Sequence, residues 1–355
     1  MEKKERFYEF DVLRGIMIFG IVFTHMPGSM RVFSEYLAPV YKYGGDISLP
    51  LFFMLSGFLT CYAYEKRVDQ TKLGSFIFRR IKSVYFLYFV TETAALMMAV
   101  KGNGAGPLNI KSLVLNYTMT GYGWVEESFP NNVPAWFFST LLLDYIVWFV
   151  IAKYAKEGRH YFYLGMIIVG LILIKLDVHF PFMYMRDGDA FAGFFEGCIL
   201  FSLWQERTQR GKSMYLFVGI TAALTVICLI TAFLTDFPTA AGDWNHVNDW
   251  RYAWYCAFDP LLIMSALSVG WFRRFLRSRP MRLVFGNINQ YIFFWHWPFM
   301  LMGEGVMMKL FPESMNLRGA CFLIGLYVFC VIYREIERRG RKYVTAKLAE
   351  KGRLQ

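Results

Sequence analysis

Two ionisable side chains interrupt an apolar stretch near the N-terminus, "DVLRGIMIFGIVFTH". Arg14 and His25 are eleven residues apart, which in a helix places them on one face, about 16 Å apart along the axis. A histidine can accept a proton from a hydroxyl near neutral pH, and a guanidinium can hold a phosphate. Structural explanations stay open: His25 can tie helices together through a backbone carbonyl, and Arg14 can pair with Asp11 and reach lipid phosphates.

A second histidine and a second basic cluster lie in other apolar stretches. If the first helix begins near Asp11 and another parallel one near residue 284, His25 and His296 lie about 21 Å and 18 Å along their helices. They would then share one depth and face one cavity. The segment "FIFRRIKSVYFLYF" carries Arg79, Arg80 and Lys82. These charges are either a topology signal or a clamp for nucleotide phosphates.

The composition indicates a membrane protein that positions these groups on helices. Of the 355 residues, 56% are hydrophobic and 19% aromatic, more than in an ordinary soluble domain. The net charge of +11 does not indicate a nucleic-acid partner, because the basic residues lie in short loops between apolar spans. The six cysteines are spread singly, with no metal-ligand or disulfide spacing. We therefore expect an all-α polytopic integral membrane protein without a metal site.

Apolar stretches of membrane-spanning length predict about ten transmembrane helices. With the N-terminus in the cytoplasm, 28 Lys and Arg residues fall on that side and 9 on the other, which predicts that both termini are cytoplasmic. The first stretch lacks a small-residue cleavage site and is interpreted as a retained helix rather than a signal peptide. We expect a single domain over 1–355 with no fused soluble domain. The predicted spans are 11–27, 47–65, 82–100, 134–152, 161–176, 190–205, 214–235, 251–271, 284–308 and 318–334.

Four motifs occur in order between Phe10 and Pro298. The first is the arginine and histidine separated by ten residues in "FDVLRGIMIFGIVFTH", and the others are "LPLFFMLSGFLT", "PAWFFSTLLLDYI" and "FGNINQYIFFWHWP". In this order they resemble the motifs of the membrane-bound acyltransferase 3 family. Members move acyl groups, often acetyl from acetyl-CoA, onto cell-surface glycans and other acceptors.

The resemblance implies roles for particular residues. His25 would be the catalytic base, Arg14 its essential partner and Asp11 their neighbour. Arg79 and Arg80 would help to receive the acyl donor. From their charge and cytoplasmic position, we expect Arg14 and Lys82 to lie near the donor phosphates as well. The remaining motif positions assign substrate binding to Ser56, Trp136, Asn289 and Tyr291. The sequence departs from the family pattern at Ser83 and Phe86, where an arginine and a proline are frequent, and at Leu141 and Leu142, where many glycan-modifying members have a Glu-Glu pair.

These inferences predict a membrane O-acyltransferase of the bacterial cell membrane. Acetyl-CoA would bind from the cytoplasmic side, its pantetheine arm would carry the thioester toward His25, and a glycan hydroxyl would attack it. His296 would orient the acceptor or stabilise the developing oxyanion. Direct transfer and a covalent acyl-enzyme both stay open. A different class, a transporter or flippase for a glycan or lipid intermediate, would also suit many spans with intramembrane charges, although no internal repeat is evident.

Overall fold

The described residues form helices joined by turns. The computed structural model describes residues 6–100, 109–126, 129–210, 218–219, 222–223, 226 and 249–353, and no β-strand occurs among them. The helices are α1 (Tyr8–His25), α2 (Ala38–Tyr64), α3 (Leu73–Met98), α4 (Ile110–Tyr117), α5 (Trp136–Tyr154), α6 (Arg159–Lys175), α7 (Met185–Arg210), α8 (Asp249–Ser268), α9 (Gly270–Leu276), α10 (Arg279–Phe285), α11 (Asn289–Leu310) and α12 (Met315–Arg353).

Within the described part of the chain, four helical stretches are long and apolar enough to cross a membrane. They are Ala38–Arg67, Val133–Tyr154, Lys156–Lys175 and Met315–Lys347. The all-helical prediction is confirmed for the described residues, whereas the count of ten spans and the side of the termini stay predictions. The predicted span 214–235 falls almost wholly outside the described residues. The predicted span 284–308 is broken, because α10 ends at Phe285 and α11 begins at Asn289.

Helix α2 lies at the centre of the packing, between α1 on one side and α7 on the other, and α6 packs on the far side of α7. Small residues make the α2–α7 approach possible. A Cβ atom on Gly57 would overlap the carbonyl oxygen of Phe194, and one on Gly197 would overlap that of Met54. Close backbone approach through small residues is typical of helices packed in membranes. Gly57, part of the second motif, thus has a packing role.

Helix α11 is the element that brings the late motif to the first one. It packs against α1, α3 and α12, so it lies beside the helix that carries Arg14 and His25. Pro298 lies inside this helix. A proline has no N–H group, so the carbonyl of Phe294, four residues earlier, lacks its usual helical partner. That free carbonyl matters for the site described next.

Candidate active site

The two histidines that the sequence placed at similar depth are in contact. The Nδ1 atom of His25, the last residue of α1, lies 3.3 Å from Nε2 of His296 in α11. The ring centres are 5.3 Å apart. Trp297 lies edge-on to the His25 ring, with centres 5.6 Å apart. The sequence predicted that His25 and His296 lie at similar depth, and the structure places their rings in contact; their catalytic roles stay predictions.

The hydrogen bonds of the pair determine which nitrogen atoms carry protons. The other ring nitrogen of His296, Nδ1, lies 2.6 Å from the carbonyl oxygen of Phe293. A carbonyl only accepts, so Nδ1 of His296 carries a proton and its Nε2 is an acceptor when the ring is neutral. Nδ1 of His25 is then the donor toward that acceptor, and the His25 ring also donates to the backbone carbonyl of Ile21 in its own helix, which leaves the lone pair of His25 on Nε2. This inferred tautomer is the one that a general base at Nε2 requires.

The two rings differ in their access to a substrate. His296 is fully buried, whereas His25 is partly exposed. His25 is therefore the member of the pair that an acceptor can reach, and His296 lies behind it. This arrangement fits a positioning role for His296, in which it fixes the tautomer and orientation of His25.

A polar network holds α11 in place at this point. The Nδ2 group of Asn132 donates to the Phe294 carbonyl at 2.9 Å, the carbonyl that Pro298 leaves without a helical partner. The backbone N–H of Asn132 donates to Glu92 of α3 at 2.9 Å. Glu92 also accepts from the backbone and side chain of Asn131, at 2.9 and 2.8 Å. The buried Glu92 carboxylate thus anchors the loop in which Asn132 donates to the free carbonyl of α11.

The turn after His25 is fixed to the same helix. Ser29 donates from its hydroxyl to Glu304 of α11 at 2.6 Å. Thr24, the residue before His25, accepts from the backbone N–H of Gly45 at 2.7 Å and so joins α1 to α2. His25 is therefore held from both neighbouring helices, which favours a defined orientation of its ring.

At the other end of α1, two guanidinium groups lie near each other. The charge of the half-buried Arg14 interacts with Asp11, Tyr145 and Arg80. Arg80 lies over the Tyr145 ring, 4.7 Å from its centre, and donates to the Thr60 hydroxyl at 3.0 Å. A pocket of about 80 Å³ lies beside Arg80 between α3 and α5. Its wall also includes Ser83, Val84, Met119, Phe138 and Tyr145.

The acidic residues nearby in the chain are already paired with other arginines. Asp11 accepts from Arg6 at 2.7 Å rather than pairing with Arg14. Glu9 binds Arg277 at 2.8 Å and also Arg273, and Glu65 binds Arg159 at 2.8 Å. Among the residues that the structure describes, neither Arg14 nor Arg80 forms an ion pair. Two half-buried cations without a carboxylate partner favour an anion between α1 and α3.

Arg79 and Lys82, the other residues predicted to bind the acyl donor, lie on the outer surface of α3. Arg79 and Lys82 are exposed, whereas Arg80 is half-buried. This follows from the helix, because Arg79 and Lys82 are three residues apart on one face and Arg80 is about 100° away. The structure thus places Arg80 with Arg14 and places Arg79 and Lys82 on the outer surface of α3.

The predicted substrate-binding residues are spread along the bundle. Trp136 is buried at the start of α5, and the Arg186 guanidinium covers its ring at 4.8 Å. Ser56 donates to the Phe52 carbonyl in its own helix at 2.7 Å. Asn289 donates to the backbone carbonyl of Asp11, at the Arg14 end of α1. Tyr291 faces α12, with its ring 6.1 Å from that of Tyr333. Trp136 lies against Arg186, whose charge also acts on His25.

Two features of the site were missed from the sequence. Asn132 was only one residue of a polar loop, although the proline inside α11 signalled that a carbonyl needed a partner. Arg186 was counted only as a basic loop residue. Its approach to Trp136 and His25 depends on how α7 packs, which no local pattern reveals.

The motif order, the helical bundle and the paired histidines define a class, the membrane acyltransferases. The family model described as "Acyltransferase domain" matches residues 7–335, nearly the whole chain. The chain therefore belongs to the acyltransferase 3 family. No curated protein and no solved structure gives a significant match. The family and the four long apolar helices support a multi-pass membrane protein with acyltransferase activity.

Proposed function

We propose that the protein transfers an acyl group, most simply acetyl from acetyl-CoA, to a hydroxyl of a cell-surface or lipid-linked glycan. The observation that carries the proposal is the hydrogen-bonded pair of His25 and His296, which leaves the lone pair of the partly exposed His25 on Nε2. The predicted orientation puts His25 toward the outer side of the cell membrane and Arg14 toward the cytoplasm.

In the proposed reaction, Nε2 of His25 removes the proton from the acceptor hydroxyl while that oxygen attacks the thioester carbonyl carbon. The tetrahedral intermediate collapses with cleavage of the carbon–sulfur bond. The proton on Nε2 of His25 then passes to the departing thiolate, which gives the ester and free CoA. His25 is an imidazolium between these steps, and its Nδ1–H bond to His296 becomes charge-assisted.

The separation of the two groups on α1 matches the shape of such a donor. Arg14 and Arg80 would hold the phosphates of acetyl-CoA, and the pantetheine arm would run along α1 toward His25, a distance of about 16 Å. Arg79 and Lys82, on the exposed face of α3, would contribute at most by attracting the anionic donor to the membrane surface.

Direct transfer is preferred over a covalent acyl-enzyme. Among the described residues, no serine, threonine or cysteine hydrogen-bonds to His25, and the hydroxyl of the adjacent Thr24 is engaged with the Gly20 carbonyl and the Gly45 N–H. A nucleophile activated by His25 would need such a contact. The family match also favours transfer chemistry over a transporter or flippase.

The test is consumption of acetyl-CoA by the purified protein in nanodiscs, followed by chromatography of released CoA, with surface-glycan extracts as acceptors. We expect release by the wild type and loss of at least about a hundredfold in His25→Ala, the usual contribution of a general base. His160→Ala is the matched control, because this half-buried histidine of α6 lies against Tyr163, away from the pair. Equal rates in wild type and His25→Ala would refute the role of His25. If the protein binds neither acetyl-CoA nor another acyl-CoA, the proposed acyl donor is wrong.

A further inference from the structure

Arg186 is a cation stacked on two aromatic rings. It lies in the first turn of α7, and its guanidinium carbon is 4.8 Å from the centre of the Trp136 ring and 5.8 Å from that of Phe129. Such stacking fixes the plane of the guanidinium and leaves its N–H groups free to bind a ligand at the edge. The side chain is half-buried.

The charge of Arg186 is not balanced by an ion pair with any residue that the structure describes. The adjacent Asp187 is buried and accepts from the backbone N–H of Tyr184 at 3.0 Å. Glu126, in the neighbouring loop, pairs with Lys111. Glu304 of α11 accepts from Ser29. A half-buried arginine without a carboxylate is an expected binding site for an anionic group.

The position of this charge is informative because the geometry places Arg186 near the histidine pair. Asn132 donates to the carbonyl of Phe294, two residues before His296, and the Trp136 ring that Arg186 covers lies only four residues after Asn132. The charge of Arg186 also acts on His25, so His25 becomes an imidazolium that a second cation repels when it takes the proton of the acceptor. An anion bound to Arg186 would neutralise that repulsion during the step in which it matters. A neutral acceptor would leave the repulsion in place.

We propose that the acceptor is anionic: a hydroxyl compound with a carboxylate or phosphate that binds Arg186 while the hydroxyl meets Nε2 of His25. The inference rests on the proposed function and adds the substrate class. The anionic group is not consumed; it orients the acceptor, with Trp136 forming the wall behind Arg186. The same chemistry fits a uronic acid and a sugar phosphate, so the experiment includes both.

The experiment uses the full chain in nanodiscs with glucuronate, glucose 1-phosphate and glucose as probes. For each probe we measure acetyl transfer as kcat/KM and, separately, the shift in thermal unfolding that the probe produces without donor. Variants are Arg186→Gln and Arg186→Lys. Lys309→Gln is the control, because it removes an exposed positive charge from the far end of α11, outside the site. Within one preparation, the ratio of kcat/KM for a charged probe to kcat/KM for glucose does not depend on the fraction of folded protein.

We expect the wild type to prefer at least one charged probe over glucose by about tenfold or more, as expected for a hydrogen bond between charged groups. Arg186→Gln should bring that ratio close to one, Arg186→Lys should retain part of it, and Lys309→Gln should leave it intact. Preference for glucuronate alone or for the phosphate alone identifies the anion. If acetyl-CoA is consumed but charged and neutral probes act alike, or Arg186→Gln keeps the preference, the inference is wrong and the proposed function stands. If acetyl-CoA is neither bound nor consumed, the proposed function fails, and thermal stabilisation by a charged probe that depends on Arg186 would still show the anion site.

Discussion

Replacing His296 tests how the histidine pair works. His296→Leu removes the acceptor for Nδ1–H of His25 and the donor to Phe293, while it keeps an apolar side chain in a fully buried position. His296→Gln can still present an oxygen near the place of Nε2. The two variants therefore separate loss of the hydrogen bond from loss of the side-chain volume.

The magnitude follows from what the bond does during the reaction. A hydrogen bond between neutral groups contributes about 1 kcal/mol, and one to a charged group about 1.5–3 kcal/mol. The bond from His25 to His296 changes from the first kind to the second as the proton arrives, a gain of about 0.5–2 kcal/mol. At 1.36 kcal/mol for each factor of ten, its removal should lower kcat by about two- to thirtyfold.

The assay is acetyl transfer by each variant in nanodiscs, with thermal unfolding measured on the same sample. We expect kcat to fall in His296→Leu and to recover partly in His296→Gln. The KM for acetyl-CoA should stay close to that of the wild type, because the proposed phosphate site is at the opposite end of α1. A leucine variant that is folded and has the kcat of the wild type would show that His25 does not depend on His296. A parallel loss in both variants together with lower thermal stability would indicate a structural role alone.

Three other changes test the remaining parts of the site and fold. Arg14→Gln should raise the KM for acetyl-CoA by about tenfold but leave that for acetyl-pantetheine, which lacks the phosphates, unchanged. Arg79→Gln, on the exposed face of α3, should change either KM by less than about twofold. Equal effects of the two variants would contradict the phosphate site. Asn132→Ala leaves the buried Phe294 carbonyl unpaired, so it should destabilise the protein by about 1–3 kcal/mol and lower kcat. Thermal unfolding and turnover measure these two effects. An unchanged unfolding temperature would show that the carbonyl finds another partner. In Gly197→Ala the added Cβ atom overlaps a carbonyl of α2, so the yield of folded protein on size-exclusion chromatography should fall. In the control Gly74→Ala the added Cβ atom meets open space, so the yield should not change. Similar yields would mean that α2 and α7 can move apart without loss of stability.

The sequence by itself determined the chemistry-bearing helix and the class of protein. Arg14 and His25 are separated by a number of residues that fixes their relative direction in any straight helix, so their placement along α1 needs no tertiary information. Apolar stretches of sufficient length predict helices in a membrane for a local reason, because every backbone polar group must be satisfied within the segment. The order of four motifs then indicated the family, and the family match confirms it.

Only the tertiary structure decided which of these residues meet. His25 and His296 are separated by 271 positions, and a depth estimate predicts that they are level but not that their rings touch. The direction of each side chain around its helix likewise depends on neighbours. Arg80 is half-buried and its charge interacts with that of Arg14, whereas Arg79 is exposed.

The same limit applies to the residues that support the site. Asn132 supplies the hydrogen bond that a proline in another helix leaves unmade, and Arg186 of α7 covers the ring of Trp136 in α5. Both roles arise from contacts between segments far apart in the chain. Such contacts depend on how the helices pack. The periodicity of apolar residues in a sequence indicates a helix and its apolar face, but not which residues of other helices will contact it.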